Sequence, residues 1–348
     1  MKCGVGDYTA ILAERLSALP GMEIGVLTSS KAADRAGVHL IRPTSDWGWF
    51  DLNRILTGIK EFHPDLVHIQ YPTLGYGVSK LPVMLPCFIR QMGFPVVQTW
   101  HEVIRGARCL RYLPAALCNN AVTVIEENYE SLTQAWFWRL AKRSRLVRIP
   151  IGSNIPPSGL SDEARTQLRS ELICGQERLI AFFGFVHPAK GAEQLFAVAD
   201  PRRDHLLLIC ELNEYDPEHA AMLQLASQPA WRGRVTITGY QDAKSAASLL
   251  AASDTAVFPF VEGVTTRNAS VMAAAMQGTF VITTSTGRKG YDEGQHIWYA
   301  APGDVVSMSD ALNRYSGRRS SAPSTAGGDW EEVITAHLNL YHAVLNGH

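Results

Sequence analysis

Two segments of this chain set charged side chains beside glycine turns, a combination suited to holding an anion. The first is Ala181-Phe-Phe-Gly184-Phe-Val-His187-Pro-Ala-Lys190-Gly191, an apolar strand run that leads through a glycine turn into a helical segment over 192–198. Gly184 permits a sharp exit from a strand, and Lys190 can place a point charge on a phosphate. His187 adds a second donor when protonated. The second segment, 254–284, reads as a buried strand, a polar loop with Glu262 and Arg267, a small-residue helix from near Asn268, and a second buried strand ending in Val281-Ile-Thr-Thr284. A helix start leaves amide N–H groups unpaired and carries partial positive charge, so a diphosphate is expected here.

Ligands of open α/β sheets bind outside the carboxyl ends of the strands, so parallel strands would bring Gly184, Lys190, Glu262 and Arg267 together. Beside phosphates a carboxylate repels, which directs Glu262 to sugar hydroxyls instead. The bland alternatives are a solvated helix-start lysine at Lys190 and a surface glutamate at Glu262. In the first half, Gly4-x-Gly6 precedes a helical pattern over 9–19 and is either a ligand approach or a plain tight turn. His101 ends the strand run Pro95–Trp100 and is either a cleft residue or a helix cap. His68 alternates within a strand and reads as a core histidine. Glu126 and Glu127 follow the run ending at Ile125 and face a cleft or open a helix.

The elements that must position these groups are short apolar runs alternating with amphipathic helices, the pattern of parallel sheets covered on both faces. One series spans 22–28, 38–41, 65–71, 95–100, 121–125 and 146–151; a second spans 179–185, 206–210, 234–238, 255–260 and 279–284. Between them Pro150-Ile-Gly-Ser-Asn-Ile-Pro-Pro-Ser-Gly159 marks a domain boundary. Expected domains are 1–152, 153–328 and a closing helix over 329–348, capped by Asp329 and preceded by a mobile Ser/Gly/Arg-rich loop from Ser316. The glycine turn at Gly4 lacks the strand that normally precedes one, so either upstream residues precede this sequence or the first sheet is expected to want a central strand.

At 348 residues, with 46% hydrophobic and 19% charged residues, the chain can fill two α/β cores. A formal net charge of −1 supplies no basic stripe, so no nucleic-acid partner is expected. Six cysteines without C-x-x-C spacing indicate neither a zinc site nor a disulfide framework, and point to a reducing cytoplasm. No run reaches the roughly 18 to 20 apolar residues of a membrane span, and no signal peptide opens the chain. Trp136-Phe-Trp-Arg-Leu-Ala-Lys-Arg-Ser-Arg145 is either an anionic-membrane contact at the inner face or an ordinary helix with a cationic last turn.

Taken in order, several segments resemble glycosyltransferase family 4, the retaining nucleotide-sugar enzymes of GT-B fold. They are Cys3-Gly-Val-Gly-Asp-Tyr-Thr9, Val67-His-Ile-Gln-Tyr71, Thr99-Trp-His-Glu102, Ile149-Pro-Ile-Gly-Ser-Asn154, Phe183-Gly-Phe-Val-His-Pro-Ala-Lys-Gly191, Ile237-Thr-Gly-Tyr240, Ala252-Ser-Asp-Thr-Ala-Val-Phe-Pro259 with 262–278, Pro302-Gly-Asp304 and 330–341. The resemblance implies two facing Rossmann-like domains, transfer of a hexosyl group with retention, and no cofactor or metal beyond a nucleotide-sugar co-substrate, UDP-sugar favoured. The acceptor would be a saccharide or a lipid-linked glycan, in polysaccharide or glycoconjugate synthesis. By resemblance, His101, Lys190, Glu262 and Arg267 carry the chemistry. Gly4, Gly6, Gly184, His187, Gly239, Tyr240, Gly263, Val264, Thr265 and Ser270 bind the donor.

Two positions depart from the family pattern. Phe185 stands where an arginine follows the glycine, and Ala273 where a ribose-binding glutamate belongs. The competing expectations are a non-catalytic sugar-nucleotide-binding subunit and a sugar-nucleotide epimerase or hydrolase.

Overall fold

The computed structural model describes residues 4–30, 32, 37–141, 145–173, 178–266, 268–320 and 329–347. The chain divides into two compact units, Met1–Gly152 with Gly328–His348, and Ser153–Gly327.

In the first unit, β1 (Gly25–Ser29) pairs in parallel with β2 (His39–Thr44). A separate parallel sheet runs β3 (Val67–Tyr71), β4 (Val96–Trp100), β5 (Ala121–Val124) and β6 (Arg145–Arg148). Among the described residues the second edges of β1 and β3 carry no strand. The physical consequence is visible in burial: β4 and β5 are buried throughout, whereas every residue of β1 is only partly covered.

The helix Gly4–Ser17 buries Tyr8, Leu12 and Leu16, one face at a spacing of four. That face meets the closing helix Trp330–Leu345, where the Tyr8 ring stacks on Trp330 at 5.2 Å in a cluster with Val97, Ile149 and Val333. Asp329 caps the closing helix, accepting from the Glu331 amide at 3.3 Å. Gly4 and Gly6 therefore belong to the first turn of a helix, which corrects the tight turn expected before residue 9; the helix gains its first turn because Tyr8 can be buried.

His68 is held in this core, as its place in the strand implies. Its ring bonds the Tyr341 hydroxyl at 2.6 Å and the Thr99 hydroxyl at 2.7 Å, and lies 5.5 Å from the ring of His337. The His337 ring donates to the Val333 carbonyl at 2.7 Å. Burial holds His68 well below the ordinary histidine range, helped by charge on His337 and His101, and burial lowers His337 to about 4. Below about pH 6.5 the unfolded chain takes protons that the folded unit refuses, so stability is full above 6.5 and lost as pH falls toward 4. Thermal unfolding of the first unit is expected to lose about 2 kcal/mol between pH 7 and pH 5 from His337 alone. A midpoint unchanged over that interval, measured by circular dichroism, is the contrary result.

Cys87 and Cys118 form a disulfide, which corrects the reading of no disulfide. They lie 31 residues apart, and only the side-by-side packing of helices Leu81–Gln91 and Arg108–Cys118 brings their Cα atoms to 5.0 Å. Cys109 and Cys210 are buried thiols.

Among its described residues the second unit holds one sheet of seven strands: β7 (Arg178–Phe183), β8 (Asp204–Ile209), β9 (Val235–Ile237), β10 (Thr255–Phe258), β11 (Phe280–Thr284), β12 (Gly290–Asp292) and β13 (Ile297–Ala300). The order is β12-β13-β11-β10-β7-β8-β9, parallel except for β12 against β13. The expected series ended at β11. The last two strands are three and four residues long, too short for a periodic signal.

At the amino ends of the sheet Arg178 and Asp204 form a buried, two-pronged ion pair. The segment from Ser316 is tied down as far as it is described, contrary to the mobile loop expected. The Arg319 guanidinium donates to the Ala251, Ser253 and Gln277 carbonyls and the Thr279 hydroxyl, and burial lowers its pKa to about 10. Residues 321–328 lie outside the described residues.

Candidate functional site

Strand β7 is the first of its unit, with β8 and β9 on one side and β10, β11 and β13 on the other. This is a 3-2-1-4-5-6 order, whose direction reverses between β7 and β10. In sheets of this order the ligand position is at the carboxyl ends of these two strands, beside the loops that leave them. These loops are 184–191 and 259–268, the two segments with the anion-site pattern.

Backbone contacts lock the two loops together. The Val261 amide donates to the Ala189 carbonyl at 3.1 Å, and the Gln194 side chain donates to the Pro259 carbonyl at 3.4 Å. Gly191 adopts φ +60°, and a Cβ there would sit 2.3 Å from the Pro259 oxygen, so only glycine permits the approach. The Lys190 ammonium lies 4.8 Å above the Phe260 ring, which joins the end of the first loop to the start of the second. Gly184 leaves β7 at φ +128°, and its missing Cβ would lie 4.0 Å from the Cβ of Ser270, in the first turn of helix Ala269–Met276.

Around this junction the structure places most of the expected donor-binding residues. Glu262 is exposed at the tip of a turn closed by the Gly263 amide on the Phe260 carbonyl at 3.2 Å. Gly263 takes φ +84° and packs on the backbone of Ser285 and Thr286. The Val264 amide donates to the Thr284 carbonyl at 2.7 Å, and Thr265 donates twice to Asn268 Oδ1, from its amide at 2.7 Å and its hydroxyl at 3.0 Å. His187 turns Nδ1 back to accept from the Ala189 amide at 3.3 Å, so its first role is to shape the loop. Arg267 lies outside the described residues.

Gly239, at φ +70°, and the exposed Tyr240 follow β9, two strands from β7 at the same end of the sheet. Ala273 is buried in the core, so a polar ribose contact has no place there. Phe185 is 55% exposed beside Gly184.

Sequence reasoning missed the loop after β11, Ser285-Thr-Gly-Arg-Lys-Gly290. It backs Gly263 and carries Arg288, whose guanidinium bonds the Tyr299 hydroxyl at 3.0 Å, and the exposed Lys289. A glycine and two cations just past a strand were the available signal.

In the first unit the His101 ring bonds Gln70 Oε1 at 2.8 Å, and Tyr8 meets it edge-on at 5.4 Å. Tyr8, which His101 touches, follows Gly4 by one helical turn, whereas Gly6 lies about half a turn from Tyr8 on the other side of the helix. Glu102 accepts from the Tyr112 hydroxyl. Glu127 pairs with Arg148 at 3.1 Å, and Glu126 lines a shallow hollow of about 470 Å³ with Tyr129 and Ser131. In the segment proposed for membrane contact, Phe137 is fully buried and Trp138 packs against Trp100 and Tyr129, while Trp136 and Leu140 stay exposed. Residues 142–144 of that segment lie outside the described residues.

No protein-family model matches the chain, and no curated protein matches it by sequence. Solved structures do match it along its whole length. Sucrose-phosphate synthase from Thermosynechococcus elongatus shares 18% identity over 99% of this chain and 94% of that one, with a TM-score of 0.75. A glycosyltransferase from Rickettsia africae shares 14% over 99% and 96%, with a TM-score of 0.69. Anabaena HepE, solved in complex with UDP and glucose, shares 13% over 97% and 91%, with a TM-score of 0.63. The chain has the α/β GT-B fold of these proteins.

Proposed function

We propose that this chain is a retaining glycosyltransferase that moves a hexosyl group from a nucleotide-diphosphate sugar to a saccharide or lipid-linked acceptor. The observation that carries the proposal is the locked pair of loops at the β7/β10 switch point, with Lys190 at the end of the first. UDP-sugar is the favoured donor, since HepE holds UDP and glucose on the same fold.

Under this proposal the bond between the anomeric carbon and the diphosphate oxygen breaks as the acceptor oxygen bonds on the same face. The acceptor proton passes to a phosphate oxygen. Lys190, Arg267 and the amides opening helix Ala269–Met276 offset the charge growing on the diphosphate, and no divalent ion is assigned. Glu262 accepts from sugar hydroxyls, Ser270 and the turn 263–265 contact the donor, and Gly239 with Tyr240 hold the base. His101 meets the sugar. A place in glycoconjugate or polysaccharide synthesis completes the proposal; the cytoplasmic location expected from the cysteines loses its premise with the Cys87–Cys118 disulfide.

A thermal-shift comparison of UDP, GDP, ADP and TDP tests donor binding. UDP at one hundred times its dissociation constant is expected to stabilise the native state by about 2.7 kcal/mol. No shift with any nucleotide would sink the proposal.

Exposed Phe185 and buried Ala273, in place of two polar residues of the family pattern, favour a second reading: a binding subunit without turnover. Release of free sugar or product from any nucleotide sugar, followed by mass spectrometry, excludes that reading.

A further inference from the structure

The carboxyl-end loops of the first unit expose apolar side chains that its core does not use. Phe50 and Val78 are fully exposed, Trp49 is 52% exposed and Leu74 61%. These residues sit on two loops, one after β2 and one after β3, that are built rigidly against each other. The Trp47 ring meets Tyr76 edge-on at 4.7 Å, and the Ser79 hydroxyl donates to the Trp47 carbonyl at 2.6 Å. Trp49 in turn meets the ring of Phe88. Large side chains presented on a fixed frame indicate a surface shaped for contact.

Charge adjoins the same surface. Tyr76 stacks on Tyr71 at 6.1 Å, and the Arg111 guanidinium lies 5.8 Å over the other ring of that pair, Tyr71. Arg111 belongs to the segment after β4, where Arg105 and Arg108 are also exposed, while exposed Lys80 closes the loop after β3. Of the carboxylates on these loops, Asp51 is buried and accepts from the Thr44 hydroxyl at 2.5 Å, and the half-buried Glu102 accepts from Tyr112; Asp46 is exposed, accepting from the Gly48 amide at 2.9 Å, and stands against the exposed Lys80, Arg105, Arg108 and Arg111. Exposed aromatic and aliphatic tips beside clustered cations match the interface of an anionic bilayer, where rings enter the headgroup layer and arginines meet phosphates.

We propose that this end of the first unit is a membrane-docking surface for anionic lipid, with Trp49, Phe50, Leu74 and Val78 inserted and the neighbouring arginines on the headgroups. It replaces the segment 136–145 as the membrane contact, because Phe137 and Trp138 of that segment are committed to the core. Docking here rests on surface chemistry alone and does not depend on sugar transfer.

The test is sedimentation of the full chain with phosphatidylcholine vesicles, and with vesicles one-third phosphatidylglycerol. Binding is expected to the anionic vesicles only, and to weaken with salt. The double variant Phe50→Ser/Val78→Ser is expected to bind at least about tenfold more weakly, and each arginine-to-alanine change at 105 or 108 about fivefold. Because these side chains are exposed, the melting midpoint should not move, which separates lost docking from lost folding. Absence of sedimentation, or full binding by the double variant, would overturn the proposal. So would a dimer on gel filtration that the double variant abolishes without any vesicle binding, since the surface would then belong to a second copy of the chain.

Discussion

Replacing Lys190 with alanine is expected to lower sugar turnover at least about 100-fold, the usual cost of removing one preorganised charge from a developing anion. The fold should survive, because the side chain is only partly buried and its stacking over Phe260 is worth about 0.5 to 1 kcal/mol at such a site. The expected signature is a fall in kcat/KM measured by product formation, with an unchanged melting curve. Arginine at the same position should restore part of the rate, since it returns the charge with a different reach. Turnover within twofold of the wild type would remove Lys190 from the chemistry. Loss of UDP binding without loss of turnover per bound donor would assign it to the ground state alone.

Gly191→Ala is expected to damage both stability and donor binding. The residue holds φ +60°, where a side chain costs about 1 to 2 kcal/mol, and the new methyl would meet the Pro259 oxygen at 2.3 Å and Gln194 Nε2 at 2.6 Å. The glutamine can move; the carbonyl belongs to the backbone just after β10. Relief requires the loop 184–191 to part from 259–263, at an overpacking cost of about 1 to 3 kcal/mol. Together these predict a fall of about 5 to 15 °C in the melting midpoint of the second unit. Loss of the UDP-induced shift should accompany it. Gly287→Ala is the control: no heavy atom lies within 4 Å of its Cβ and its φ is not left-handed, so it should melt with the wild type. A Gly191→Ala midpoint within about 2 °C of the wild type would show that the two loops are not locked as described.

The candidate site was legible where its signal is local. Gly184, Lys190 and Gly191 follow a strand run in a fixed order, and the strand-to-helix passage at 254–276 carries its own apolar and small-residue pattern. The loop at 285–290 went unread because its relevance comes from the neighbour it backs, Gly263, rather than from its own spacing. Gly4 and Gly6, in the sequence either a ligand approach or a tight turn, join the helix although glycine is a poor helix former, because burying Tyr8 and Leu12 against the closing helix outweighs that propensity.

By itself the sequence determined the α/β class, the main strands and the helix faces that bury, because apolar periodicity is written residue by residue and any fold must satisfy it. Which strands are neighbours was decided by tertiary structure. The pairing of β7 with β10 joins residues some seventy apart, and the Cys87–Cys118 bond spans two helices. Such contacts depend on hydrogen-bond partners and packing distant along the chain, and no local spacing records them.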